Sequence, residues 1–339
     1  MKSRKVIGSI AAAALLMLLA GCAQGSAPEE GGDEAYEVAW FSYGLSNTYL
    51  TANLEGIDSV ASENNVNITS FDANADPATQ VRQLKDAMAT GQYDAFIIYP
   101  VDAAAVIPVA QDALDLGITV SAVSFPISED PTSYESGVDG VITVAYSPAD
   151  NGVAVAEGMI AACEGIDPCA AAYLVGSPAL PSDAARVEAV KATLAEHPNI
   201  DLVATPEGGW DQTAGLKATQ DLLASTPKLD VIGASAGQAI GGALKALEGT
   251  DLAGTVKLVS NGGTTQAITA IRDGSMFASA VLFPFDEGKL VMEYVLEALE
   301  GGDPPMNTNI LEQSPFGTIA TLDILNSPEG QDFVGQYSA

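Results

Sequence analysis

The side chains able to grip or transform a small molecule fall where short apolar runs stop and polar turns begin. Tyr43, Asn47 and Tyr49 follow one such run, Tyr99 ends a second, and Ser124-Phe125 end a third. Further along come Arg186 at the start of an amphipathic stretch, then Gly208-Gly209-Trp210, Ser235 and Asn261-Gly262-Gly263. Aromatic faces pack well against C–H bonds and other rings. Amides and hydroxyls both donate and accept, and a guanidinium fork grips hydroxyl, carbonyl or carboxylate oxygens. Each residue also has a plainer reading. Trp210 could cover a core edge, Tyr43 and Tyr49 could pack locally, Asn47 could cap a helix, and Arg186 could pair with Glu188 or Asp183. Ionisable groups are otherwise nearly absent from the set, so its chemistry is that of holding a neutral guest.

Little in the chain supports bond making or breaking. There is no G-x-S-x-G elbow, no P-loop and no G-x-G-x-x-G opening a helix after a strand. The single histidine, His197, stands beside Pro198 at an apparent helix end. A serine or cysteine triad therefore lacks its base, and a metal site lacks its commonest ligand. Paired carboxylates could serve glycoside hydrolysis, but no acidic residue falls at the run ends. No enzymatic activity, metal or cofactor is expected; an exported α/β hydrolase is the alternative.

The elements that must hold these residues alternate in kind. Val38–Phe41, Ile68–Phe71, Ala95–Tyr99 and Ile118–Ser124 read as strands. Between them, Leu50, Leu54, Ile57 and Val60 recur at helical spacing, as do Val81, Leu84 and Met88, and a third helix spans about Ala103 to Leu116. Asp76-Pro77 supplies a cap and an N1 proline. The rhythm continues with strands expected at Ala171–Val175, Asp201–Ala204, Leu229–Ala234, Val256–Ser260 and Phe277–Phe283, helices between them, and a late strand near Thr318–Leu325. Such alternation predicts an α/β fold with doubly wound parallel sheets covered on both faces. In these sheets ligands lie beyond the carboxyl ends of the strands, which is where the candidate residues fall.

The amino terminus sets the compartment. Lys2, Arg4 and Lys5 precede an apolar run from Ile10 to Leu19 that ends in Leu19-Ala20-Gly21-Cys22. The run is short for a membrane span, and the segment resembles a bacterial lipoprotein signal, with Cys22 as the acylated residue. Residues 23–35 read as a flexible tether, leaving about three hundred residues for two domains. The formal charge is −31, and removing the three basic residues of the signal leaves 10 basic against 44 acidic residues, a net of −34. Such a surface repels nucleic acid and anionic membranes. Cys163 and Cys169 could close a small disulfide loop in an oxidising compartment or remain two free thiols.

Several patches, in order and spacing, resemble the type I periplasmic solute-binding proteins of the ribose/galactose class. They include Leu45–Leu50, Gly91–Asp102, Ala185–Val190, Trp210–Gly215, Gly242–Leu247 and Ile271–Gly274, within a match from about Glu37 to Gly302. The resemblance implies two similar lobes joined by three hinge strands, 36–145 with 284–310 and 146–283 with 311–339. It also implies capture of a sugar, polyol or small ring compound by hinge closure and delivery to an ABC permease; with the amino-terminal signal, the expectation is an exported monomer anchored to the outer face of the cell membrane by lipid on Cys22. A surface receptor that signals to a membrane sensor is an alternative with the same binding chemistry. Tyr43, Asn47, Tyr49, Tyr99, Ser124, Phe125, Arg186, Trp210, Ser235 and Asn261 are the expected ligand-binding residues. This chain departs from the family's pyranose binders: Ser124 and Phe125 stand where an acidic residue and an arginine are usual, and Ala236-Gly237 replace an asparagine-aspartate pair.

Overall fold

The computed structural model describes residues 35–226 and 228–339. The signal, Cys22 and nearly all of the tether lie outside the described residues. In chain order the elements are β1 (Tyr36–Ser42), α1 (Thr48–Ala61), β2 (Val66–Asp72), α2 (Pro77–Thr90), β3 (Ala95–Ile98), α3 (Ala103–Asp115), β4 (Thr119–Ser124) and β5 (Ile142–Ala145). There follow α4 (Pro148–Ala162), β6 (Cys169–Leu174), α5 (Pro181–Ala195), β7 (Ile200–Ala204), α6 (Gln212–Ser225), β8 (Val231–Ala234), α7 (Gly237–Leu247) and β9 (Lys257–Gly262). The chain ends with α8 (Thr265–Asp273), β10 (Ala278–Val281), α9 (Pro284–Leu299), β11 (Asn307–Asn309), a 3₁₀ turn (Ile310–Gln313), β12 (Ile319–Thr321) and α10 (Leu322–Leu325).

Two six-stranded sheets result, ordered β11-β5-β4-β3-β1-β2 and β12-β10-β9-β8-β6-β7. All pairings are parallel except β10 with β12. Parallel strands need apolar side chains on both faces, and β1 shows why the sequence complies. Val38 and Trp40 turn to the side of α1 and α9, while Ala39 and Phe41 turn to the side of α2 and α3. In the second sheet α4 and α5 cover one face, and α6, α7 and α8 join the core of the other.

Three short connections pass between the sheets: Tyr146–Ser147 after β5, Leu282–Phe283 after β10, and residues 310–318 after β11. Helix α9, which follows the second crossing, packs closely on α1 through glycine. A Cβ on Gly56 of α1 would lie 2.0 Å from the Phe285 carbonyl oxygen, and one on Gly288 of α9 would lie 1.9 Å from that of Asn53. The Cys163 and Cys169 sulfurs are bonded at 2.07 Å, closing the turn between α4 and β6.

Three expectations are corrected. β5 and β11 form strands that the apolar pattern does not single out, because each is only four or three residues long. The late strand stops at Thr321, whose hydroxyl accepts from the Ile324 amide and caps the α10 turn, so only the first half of that segment is extended.

Candidate functional site

The carboxyl ends of both sheets face one cavity. β1, β3, β4 and β5 deliver Tyr43, Tyr99, Phe125 and Tyr146 from one sheet, while β8 and β9 deliver Ser235 and Asn261 from the other. The loop after β7 brings Trp210, and α1 and α5 bring Asn47, Tyr49 and Arg186. Local sequence explains these placements. Asn47 accepts from the Tyr49 amide and Asp211 from those of Thr213 and Ala214, so each caps a helix and aims its neighbours at the strand ends. Gly176 lies so near the indole of Trp210 that a Cβ there would stand 2.5 Å from the ring.

Aromatic side chains dominate the wall. Tyr43 meets Tyr99 edge-on at 6.3 Å, Tyr99 meets Phe125 at 5.4 Å, and Phe125 meets Tyr146 at 5.1 Å. Across from them the Arg186 guanidinium lies 5.7 Å from the Trp210 ring centre. Arg186 is only 1% exposed. Its Nε donates to Asn151 at 2.7 Å and its Nη1 to Asp183, leaving Nη2 with no protein hydrogen bond among the described residues. Burial works against its charge, but Asp183 and the nearby tyrosines outweigh that and raise its pKa. Burial raises Asp183 as well, opposed by the same guanidinium and the Ser177 amide. Arg186 therefore both forms an ion pair and lines the cavity.

Not every lining residue has polar capacity to spare. Asn261 exchanges two bonds of 2.9 Å with Asn151 and donates to the Ser235 carbonyl at 2.8 Å. The Ser235 hydroxyl is paired with that of Tyr173 at 2.9 Å. These two residues brace the floor beneath Arg186. Tyr49 presents its ring, while its hydroxyl donates to Glu287 at 2.8 Å.

Ser124 is a correction. It is fully buried, with φ +66°, and is not among the lining side chains. Its hydroxyl donates to the Glu287 carboxylate. The expectation that no carboxylate comes near the strand ends is corrected with it. Glu287 sits in the first turn of α9, just past the end of β10, and is itself wholly buried. Burial pushes its pKa up to about 7, against the pull of the Ser124 and Tyr49 hydrogen bonds. Tyr146, Leu282 and Tyr337 also line the cavity. Tyr146 and Leu282 follow β5 and β10 and obey the strand-end rule, whereas nothing in the sequence around Tyr337 marks it.

No carboxylate appears in the cavity lining, and among the described residues no group of three His, Cys, Asp or Glu side chains could hold a metal ion. Residues 38–303 match the family model of the periplasmic binding protein domain. The chain belongs to that family. Other periplasmic binding proteins resemble it along most of their length. The xylitol-binding protein of Mycolicibacterium smegmatis is 24% identical over 285 residues, covering 81% of this chain and 75% of its own. The ribose import binding protein RbsB of Bacillus subtilis is 24% identical over 257 residues, covering 76% and 79%. The fold of this periplasmic binding protein also matches the Caulobacter myo-inositol binding protein bound to myo-inositol, with a TM-score of 0.74 at 20% identity, over 89% of this chain and 98% of that one.

Proposed function

We propose that this protein is the extracytoplasmic solute-binding component of an ABC importer and that it captures one neutral sugar or polyol between its lobes. The observation that carries this reading is the cavity wall: ring faces from both sheets, one ion-paired guanidinium and no carboxylate. Hydroxyl-bearing rings offer C–H faces to the aromatics and oxygens to Arg186 and to the side-chain amide nitrogen of Asn47. The relatives named for xylitol and ribose and the neighbour solved with myo-inositol support the ligand class. The lobes comprise 36–145 with 284–310 and 146–283 with 311–339, and the cleft closes by rotation about the three crossings. A ligand touching both lobes favours the closed state by its differential affinity. The protein works as a monomer held by lipid on Cys22, and it returns its ligand chemically unchanged.

The test is a thermal-shift screen of residues 23–339 against ribose, allose, xylitol, myo-inositol and nucleosides, with the ligand analysed after incubation. A neutral sugar or polyol should raise the melting temperature by mass action and be recovered intact. Stabilisation by charged compounds alone, or conversion of the ligand, would contradict the reading.

A further inference from the structure

The carboxyl-terminal tail, residues 326–339 beyond α10, returns to the cavity and ties together elements of both sheets. The N-cap of α9, Phe283, has no side-chain cap of its own. Gln336 supplies one from the tail, its Oε1 accepting from the amides of Phe285 and Asp286 at 3.0 and 3.2 Å. The Tyr337 carbonyl accepts from the amide of Thr265, the first residue of α8, at 2.9 Å. The Ser338 carbonyl accepts from the Thr48 hydroxyl of α1 at 2.7 Å. Between these anchors the Tyr337 ring enters the cavity and meets Tyr49 edge-on at 5.3 Å.

The backbone is shaped to receive it. Gly262 adopts φ +102°, and a Cβ there would lie 1.7 Å from the Tyr337 hydroxyl oxygen. Any other residue at position 262 would displace the phenol. Tyr337 is 7% exposed, yet its hydroxyl makes no hydrogen bond within the described residues. A buried phenol ordinarily finds a partner. Here the unspent hydroxyl belongs to a ring that lines the ligand cavity.

We propose that Tyr337 is a specificity-determining residue: the tail delivers it as the end wall of the cavity beside Tyr49 and Gly262, where it limits the guest to a single monosaccharide-sized unit and offers that guest a hydroxyl. This rests on the sugar-binding reading above. It goes further, because it assigns the size limit to a segment outside both sheets.

The test compares wild type, Tyr337→Phe and Tyr337→Ala by calorimetric titration with ribose, allose, xylitol and myo-inositol, and with maltose and cellobiose. Wild type should bind within the first group and not the second. Tyr337→Phe should weaken binding about threefold to tenfold with the size ranking kept, the worth of one hydrogen bond. Tyr337→Ala should weaken the small ligands and admit at least one disaccharide. An unchanged ranking in Tyr337→Ala, with affinities within twofold of wild type, overturns the proposal. A second readout needs no sugar: fluorescence of anilinonaphthalene sulfonate should rise in Tyr337→Ala at a temperature where circular dichroism shows all three proteins folded. If wild type binds no sugar, the functional reading fails. The dye then decides the role of the tail alone, and equal fluorescence in all three proteins rules out Tyr337 as a wall.

Discussion

At the scale of single residues, the buried Arg186–Asp183 pair and the buried Glu287 behave differently and predict different outcomes. Arg186 neutralises Asp183 in a dry setting, so Arg186→Ala strands a buried carboxylate. We expect a loss of about 3 kcal/mol or more in urea denaturation, which makes that variant a poor probe of ligand contact. Glu287 is the opposite case, a carboxyl held near neutral in the fold with its pKa raised from 4.5 to about 7 by burial. The folded state then binds more protons than the unfolded one between those values. The stability contribution of Glu287 is full below about pH 4.5 and is lost as pH rises through about 7. Glu287→Gln should therefore gain stability relative to wild type across that window, seen as a growing difference in Tm; a constant difference from pH 4.5 to 8 would contradict it. These residues also mark what the sequence makes legible. Trp210 and Arg186 announce themselves because each stands where a strand end or helix start is plain from its neighbours. Ser124 misleads because the partner that turns it away, Glu287, is 163 residues distant. Tyr337 is silent because a lone tyrosine in a polar tail has no local pattern, and only the fold returns it to the cavity.

At the scale of elements, the contact that positions Tyr49 and Glu287 is the crossing of α1 over α9. Alanine in place of glycine improves helix propensity by about 1 kcal/mol. At Gly56 or Gly288 that gain competes with an overlap of Cβ onto backbone carbonyls at 2.0 and 1.9 Å. Overpacking of a fixed backbone costs about 1–3 kcal/mol or more, so overlap wins and both Gly56→Ala and Gly288→Ala should lower the denaturation midpoint. Gly241 in α7 supplies the contrast. The nearest atom to a Cβ there is the end of the Gln212 side chain at 3.3 Å, which can move aside. Gly241→Ala should be neutral or slightly stabilising in the same assay. The helices themselves follow from caps and periodicity: Asp76-Pro77 opens α2 and Gly91, at φ +63°, closes it. β5 and β11 are less legible because strands so short have no room for a periodic pattern, and their pairing with each other joins residues far apart in the chain.

At the scale of the whole molecule, the sheets converge on the cavity from opposite sides, and the chain crosses between them three times. That arrangement makes binding a property of neither half alone. A guest held only by Trp210 or only by Tyr99 would gain little from closure, whereas one held by both shifts the equilibrium toward the closed form. The acidic surface, with a formal charge of −31, leaves this mechanism untouched because the cavity wall is nearly neutral. The most direct test is calorimetric titration of wild type, Trp210→Ala and Tyr99→Ala with ribose, allose, xylitol and myo-inositol. Aromatic contacts add about 0.5–1.5 kcal/mol beyond their burial, so each substitution should weaken the wild-type ligand by about tenfold or more. Absence of heat with all four compounds, or full affinity retained in either variant, would contradict a guest held between the two lobes.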